Sequence, residues 1–305
     1  MQQSANGKKK GPSVTAEFVT FIRALESLKP EGERICYDPY AVRFLSQWWY
    51  SMFLEMAACD PSNTLFPGTQ NSVSARVRYF DDFIKKHIDE GLEQLVILGA
   101  GYDTRAYRIE GLKNKVRVFE VDHPGTQSVK MEKIKDIFGS LPDHVVYVSV
   151  DFETEDFGQQ LLEHGFKRTQ KTVFIMEGLI YFLPLKAVDE MLLFITKNSS
   201  MGSAIIFDYV YESSFNRTDG ICGVQCTACD MNAFMQKNGA KDVLQQGEPH
   251  IFPIKEGMLE AFIAQRGFSQ VCDLTSEDYK KIYFQGINKD RPVCYAYHFV
   301  NAIVE

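Results

Sequence analysis

The clearest chemical signal in the chain is a Gly-x-Gly that follows a short apolar run, within LVILGAGYDTRAYR at residues 95–108. Gly99 and Gly101 permit a tight turn and a close approach of backbone to a ligand at the end of a buried strand. A dinucleotide pyrophosphate matches poorly. Thr104 stands where a third small residue is needed, and Asp103 adds negative charge to the turn. A ligand with a positive centre and no phosphate suits these residues. S-adenosylmethionine has that composition: a sulfonium, an ammonium, a carboxylate and a ribose. Glu120 and Asp122 close the next apolar run, VFEVDHP, and either could accept from a ribose diol. Asp151 and Phe152 close the third run, placed for the edge and face of an adenine. Glu177 stands within FIMEGLIYFL, where a carboxylate must be paired or hydrogen-bonded. Its partner is a ligand ammonium, the reading favoured here, or an arginine of the chain itself.

Two further cations complete the set. Arg23 in FIRALE and Arg76 in SARVRYFDD border the apolar stripes of helices, and guanidinium is the natural two-pronged partner of a ligand carboxylate. The competing expectation for Arg76 is a surface ion pair with Asp81 or Asp82. Arg78, one step further round, faces solvent or Asp82.

These residues need elements to position them. Residues 1–12 read as a flexible polar tail. Three helical patterns then make a cap over 13–90: Val14 to Leu28 ended by Pro30, a segment with Phe44, Trp48, Trp49 and Phe53 after Tyr37-Asp38-Pro39-Tyr40, and a third after Asn71-Ser72. From there short apolar runs at 94–98, 116–121, 145–150, 172–176 and 204–207 alternate with helix-length segments. That is the pattern of an α/β fold with a parallel sheet and right-handed crossovers. Residues 268–274 and 293–300 are expected as a terminal antiparallel pair with no helix between them, making seven strands. The core is thus expected over 91–208 and 255–305, with 209–254 inserted as a lid and a helical period over 256–266.

Composition narrows the class. Of 305 residues, 45% are hydrophobic and 24% charged, which excludes collagenous or fully disordered chains. Lys and Arg number 33 against 40 Asp and Glu, a net charge of −7, which argues against nucleic-acid binding. No apolar run is long enough for a membrane span: Thr172 to Leu185 is broken by Glu177 and Pro184. The start, MQQSANGKKKGP, has no apolar run behind its charges, and seven cysteines make no disulfide framework, so the expected compartment is the cytoplasm. Cys222, Cys226, Cys229 and His250 have none of the usual zinc spacings and are expected as packed thiols, so no metal is expected. Serine-elbow, His-Glu-x-x-His and Walker sequences are absent.

RALE (23–26), YDPYA (37–41), SARVRYFDDF (74–83), LGAGYDTRAYR (98–108), FEVDHP (119–124) and MEGLIYFLP (176–184) together resemble the leucine carboxyl methyltransferase family over residues 18–210. The resemblance implies a class I methyltransferase fold, Rossmann-like, binding S-adenosylmethionine. Carried over, it puts the methionine carboxylate on Arg23 and Arg76, the turn under the ligand at Gly99, the ribose on Asp122 rather than Glu120, the adenine on Asp151 and Phe152, and the ammonium on Glu177. Phe182 stands where relatives often have Tyr, and 209–254 matches no motif of the family. Relatives that modify tRNA carry a propeller domain after the last strand, and none is evident here.

The expected activity is S-adenosylmethionine-dependent O-methyl transfer by in-line displacement. The acceptor is expected to be a small molecule or peptide C-terminus carrying a carboxylate. A carboxylate, with a pKa near ~4, is ionised at neutral pH and needs no general base. His123 lies poorly for that role, leaving only His250 to mention. An NAD(P)-dependent oxidoreductase and a non-catalytic S-adenosylmethionine-binding regulator are the alternatives. The acceptor's identity and the oligomeric state are not legible.

Overall fold

The computed structural model describes residues 13–58, 67–212 and 253–305. The tail at 1–12 and nearly all of the expected lid, with Cys222, Cys226, Cys229 and His250, lie outside the described residues.

Seven strands form one sheet: β1 Gln94–Leu98, β2 Arg117–Asp122, β3 Val145–Ser149, β4 Thr172–Met176, β5 Ala204–Tyr209, β6 Phe268–Leu274 and β7 His298–Val304. Their order is β3-β2-β1-β4-β5-β7-β6. The first five are parallel, and β7 runs antiparallel to both β5 and β6. Every residue of β1, β4 and β5 is buried, so these strands read as mainly apolar runs, with Gln94, Thr172 and Asp208 the polar members, rather than as an alternation. The chain winds outward from β1 to β3, then returns to β4 on the other side of β1. This reversal opens a crevice at the carboxyl ends of β1 and β4, where open α/β sheets take their ligands.

Ahead of the sheet come α1 (Val14–Ser27), a 3₁₀ turn at Ala41–Phe44, α2 (Gln47–Ala58) and α3 (Pro67–Asp89). Ser13 caps α1, its side chain accepting from the Ala16 N–H. The leading elements have a core of their own, in which Phe18, Phe21 and Ile22 of α1 meet Trp49 and Phe53 of α2 and Val73 of α3. Further along, α3 buries Phe80 and Ile84 in the main core. It is therefore the rod that fixes the leading helices on the sheet. α3 begins at Pro67, several residues before the expected start after Asn71-Ser72, because proline is at ease in a first helical turn.

Among the described residues, four helices of six residues or more lie between β2 and β6: α4 (Pro124–Phe138), α5 (Phe157–Glu163), α6 (Leu185–Asn198) and α7 (Leu259–Ala264). The terminal pair departs from the expectation in two ways. A helix, α8 (Ser276–Tyr283), joins its strands, started by a capping box in which Thr275 and Asp278 satisfy each other's backbone N–H groups. The last strand also starts at His298, not at 293. Cys294 is drawn to α3 instead, its N–H donating to Gly68 O and Ser72 Oγ while its carbonyl accepts from the Tyr279 hydroxyl at 2.9 Å. Those bonds take the groups a sheet ladder would need. Among the described residues no helix is long and apolar enough to cross a membrane.

Candidate functional site

The carboxyl ends of β3, β2, β1 and β4 present Asp151, Asp122, Gly99 and Glu177 side by side. Gly99 and Gly101 both have positive φ, 67° and 42°. A Cβ on Gly99 would stand 2.8 Å from Leu179 Cδ1, and one on Gly101 would stand 3.2 Å from the Ala16 methyl of α1. The turn is thus packed closely against Leu179 on one side and α1 on the other. Asp122 ties the turn to β2, accepting from the Gly101 N–H and, at 2.6 Å, from the His123 N–H. Asp151 accepts from the Glu153 N–H at 3.0 Å. Phe152 is half-buried against Phe157.

Glu120 is different. It is wholly buried, with Lys130 Nζ of α4 2.8 Å from its carboxylate. Burial raises its pKa to about 7, because Lys130 only partly offsets the loss of water. Its carboxylate is sealed from solvent beneath Lys130. The expectation that Glu120 serves a ribose is therefore corrected, and the acid of β2 that keeps some exposure is Asp122.

Above this edge runs a buried chain of ion pairs. Arg23 Nη1 stands 3.3 Å from Asp38, which is 3.9 Å from Arg108 Nε. Arg108 Nη1 pairs with Asp81 at 2.6 Å, and Asp81 pairs with Arg105 Nε at 2.7 Å. Arg105 Nη1 serves Asp103 at 2.6 Å and also Glu177. Glu177 accepts from Arg76 Nε at 3.0 Å, and Arg76 Nη1 donates to Asp208 at 2.5 Å. Burial alone would push the Asp103 carboxyl up, but the Arg105, Lys130 and Arg23 charges hold it at about 2. The same contest leaves Glu177 below its ordinary value, with Arg105 and then Arg76 overcoming desolvation. Asp81, Asp103 and Glu177 are therefore held as carboxylates by their arginines.

The structure brings most of the expected residues to one place but gives several of them partners. Glu177 meets Arg76 and Arg105, which is the alternative the sequence left open, so no ligand ammonium is needed to explain its charge. Arg76 is engaged by Glu177 and Asp208 rather than by Asp81 or Asp82. Arg78 pairs with Asp82 on the exposed side of α3, as expected. Arg23 donates from Nη2 to Thr20 at 2.9 Å and to the Tyr102 carbonyl at 2.6 Å, so α1 is fastened to the turn. Its Nε is buried without a hydrogen-bond partner among the described residues.

Sequence reasoning missed Asp208 and Arg105. Asp208 accepts from the Gly178 N–H at 2.6 Å as well as from Arg76, so it holds both Glu177's neighbour and Glu177's partner. The signal was present, since Asp208 is an acid inside a buried strand in the same way that Glu177 closes β4. Arg105 lay within the quoted glycine motif, where nothing in its spacing distinguished it from the exposed arginines.

A family model described as leucine carboxyl methyltransferase matches residues 16–196. The chain belongs to this family. Among relatives, the Bacillus subtilis (strain 168) protein named "Putative S-adenosyl-L-methionine-dependent methyltransferase YktD" is 38% identical over 141 residues, 46% of either chain. A protein of Mycobacterium sp. (strain JLS) with the same general name is 34% identical over 212 residues, 65% of this chain and 67% of the relative. The chain thus spans under half of the first relative and about two thirds of the second. Two solved structures share the fold along nearly the whole chain. One, named "a putative methyltransferase from Thermobifida fusca YX", gives a TM-score of 0.56 at 11% identity, covering 98% of this chain and 97% of its own. The other, a duf574 family protein of Streptomyces avermitilis, gives 0.55 at 11%, covering 96% and 98%.

Proposed function

We propose that the protein is an S-adenosylmethionine-dependent O-methyltransferase whose donor lies across the carboxyl ends of β3, β2, β1 and β4. The observation that carries this reading is the charge of the buried chain of ion pairs. Among the described residues, four guanidiniums (Arg23, Arg76, Arg105, Arg108) pair with five carboxylates (Asp38, Asp81, Asp103, Glu177, Asp208), and Asp122 and Asp151 stand at the neighbouring strand ends. An edge so rich in carboxylates favours a ligand with a positive centre. A pyrophosphate would be repelled there, which disfavours the oxidoreductase reading. Two further features fit the donor. The Gly99–Gly101 turn presents bare backbone at the end of β1, with positive φ at both glycines, and Arg23 Nε is a buried donor without a hydrogen-bond partner among the described residues, available to the methionine carboxylate.

Asp122 would then take the ribose, Asp151 and Phe152 the adenine, Arg23 and Arg76 the carboxylate, and Glu177 the ammonium. When bound, S-adenosylmethionine supplies a methyl group carried on a sulfonium. The chain's own part is alignment, and holding the acceptor oxygen in line is worth about 7–11 kcal/mol when complete. Kinship with carboxyl methyltransferases favours a carboxylate acceptor, on a small molecule or a peptide C-terminus. Isothermal titration with S-adenosylmethionine and its demethylated product tests the donor site. Absence of binding by either would overturn the reading. Radiolabelled methyl released as methanol by alkali tests the carboxylate, and label transferred to any acceptor excludes the non-catalytic regulator.

A further inference from the structure

Beyond β4 the same rim carries a second polar cluster that the donor site does not use. Because β7 is antiparallel, its first residue, His298, stands where β5 ends and pairs with Tyr209. Asp273, near the end of β6, pairs with Val300 and so shares the face of His298. The Tyr209 hydroxyl donates to Asp273 Oδ2 at 2.9 Å and lies 3.1 Å from the Tyr211 hydroxyl. Both tyrosine rings pack on the imidazole, with centroids at 5.2 and 4.6 Å. His298 Nδ1 faces Asp273 Oδ1 at 3.7 Å. Both atoms are buried, and neither has a hydrogen-bond partner among the described residues. Histidine and carboxylate so placed are a base and its orienting group, left slightly apart. The gap is too long for a direct bond but closes with a small ring movement or a bridging water.

We propose that His298, oriented by Asp273, is the proton acceptor for a hydroxyl-bearing methyl acceptor. This rests on the methyl-transfer reading and widens its acceptors from carboxylates to hydroxyls. A phenol has a pKa of about 10, so unlike a carboxylate it needs a base to react near neutrality. With Nδ1–H directed at Asp273, the lone pair of Nε2 is left for the substrate. The location agrees. β7 lies two ladder spacings from β4, roughly 10 Å, so donor and acceptor sites adjoin along one rim. In the step, the acceptor O–H proton passes to Nε2 as the oxygen lone pair forms the O–CH₃ bond. The C–S bond breaks with its electron pair on sulfur, and the imidazolium then returns its proton to solvent.

The test uses the full chain with methyl-labelled S-adenosylmethionine and a panel of hydroxybenzoates and catechols. Label is sorted into alkali-stable ether and alkali-labile ester across pH. Among the described residues, the titratable groups facing His298 are Asp273 on β6, Tyr209 at the end of β5, Tyr211 just beyond it, and Asp278 on α8. The expected result is ether label that falls about 10²- to 10⁴-fold in His298→Gln, with donor affinity unchanged. Asp273→Asn should lower kcat for hydroxyl acceptors while leaving their KM and the donor affinity unchanged, because the imidazole loses the group that orients it. A merely structural pair would not split kcat from KM in this way. Ester label alone, no label, ether label indifferent to His298→Gln, or an unchanged kcat for hydroxyl acceptors in Asp273→Asn would each overturn the proposal. Wild-type protein that fails to bind S-adenosylmethionine would instead overturn the methyl-transfer reading beneath it. Urea denaturation of both variants separates loss of fold from loss of the base.

Discussion

Replacing Arg105 by methionine removes the hub of the buried ion-pair chain while nearly conserving the volume of the side chain. Arg105 is wholly buried and serves Asp81, Asp103 and Glu177. In the variant three carboxylates lose this partner; Asp81 and Glu177 keep Arg108 and Arg76, while Asp103 keeps the backbone N–H of residue 105 and the Lys130 and Arg23 charges. Asp103, held at about 2 chiefly by Arg105 against its own burial, is the most affected by the change. The step from an ordinary carboxyl to that value corresponds to about 2 kcal/mol at neutral pH. Breaking a buried pair costs about 3–5 kcal/mol in all, because uncompensated charge stays inside. Urea denaturation at pH 7 should therefore show the variant less stable by about 3–5 kcal/mol. By contrast, Arg78→Met, on the exposed pair with Asp82, should cost less than about 1 kcal/mol. The sign of the pH dependence comes from the depressed acids. Their stabilisation is present above the unfolded carboxyl pKa, near ~4, and is lost as pH falls toward about 2. The gap between wild type and variant should thus be widest at neutral pH and narrow below about pH 4. A loss under about 1 kcal/mol at pH 7, or a gap that does not change with pH, would refute the account of the network.

Three other outcomes are expected. Gly99→Ala should cost about 1–2 kcal/mol and weaken S-adenosylmethionine binding. The left-handed φ of 67° is the main penalty there, since Leu179 Cδ1 can swing aside; unchanged melting and affinity would contradict it. Asp122→Ala should weaken binding of S-adenosylmethionine about 10- to 100-fold by calorimetry, the worth of a charged hydrogen bond, with the fold retained. Glu120→Gln should flatten the pH dependence of stability between about 4.5 and 7. With its folded pKa raised to about 7, the wild-type carboxyl favours the folded state at acid pH and loses that contribution as pH rises to 7. An equal slope in both proteins, by urea denaturation at stepped pH, would refute this.

The period of the apolar residues made most of the fold legible. β1, β4 and β5 are buried on both faces, so their sequences are mainly apolar runs that no surface helix would carry, and the helices between them are implied by spacing. The places where one segment captures another escaped. The Thr275–Asp278 capping box was a readable signal in an otherwise polar stretch, and it starts the helix that the spacing alone did not suggest. The shift of β7 to His298 was not readable, because it depends on Ser72 and Gly68 of α3 taking the bonds of Cys294, some 220 residues away in sequence.

The candidate site divides in the same way. Residue types at strand ends, Gly99, Asp122, Asp151 and Glu177, are fixed locally: a strand must end, and the residues just beyond its last buried position face the rim. Their identities and the glycine turn therefore carried the ligand class from sequence alone. Charge pairing is not local. Whether Glu177 faces a ligand or Arg76 and Arg105, whether Glu120 is reachable or sealed by Lys130, and whether His298 meets Asp273 depend on strand order and on how α3 and α4 lie against the sheet. Coulomb energies depend on distance through space, and only the folded chain sets those distances.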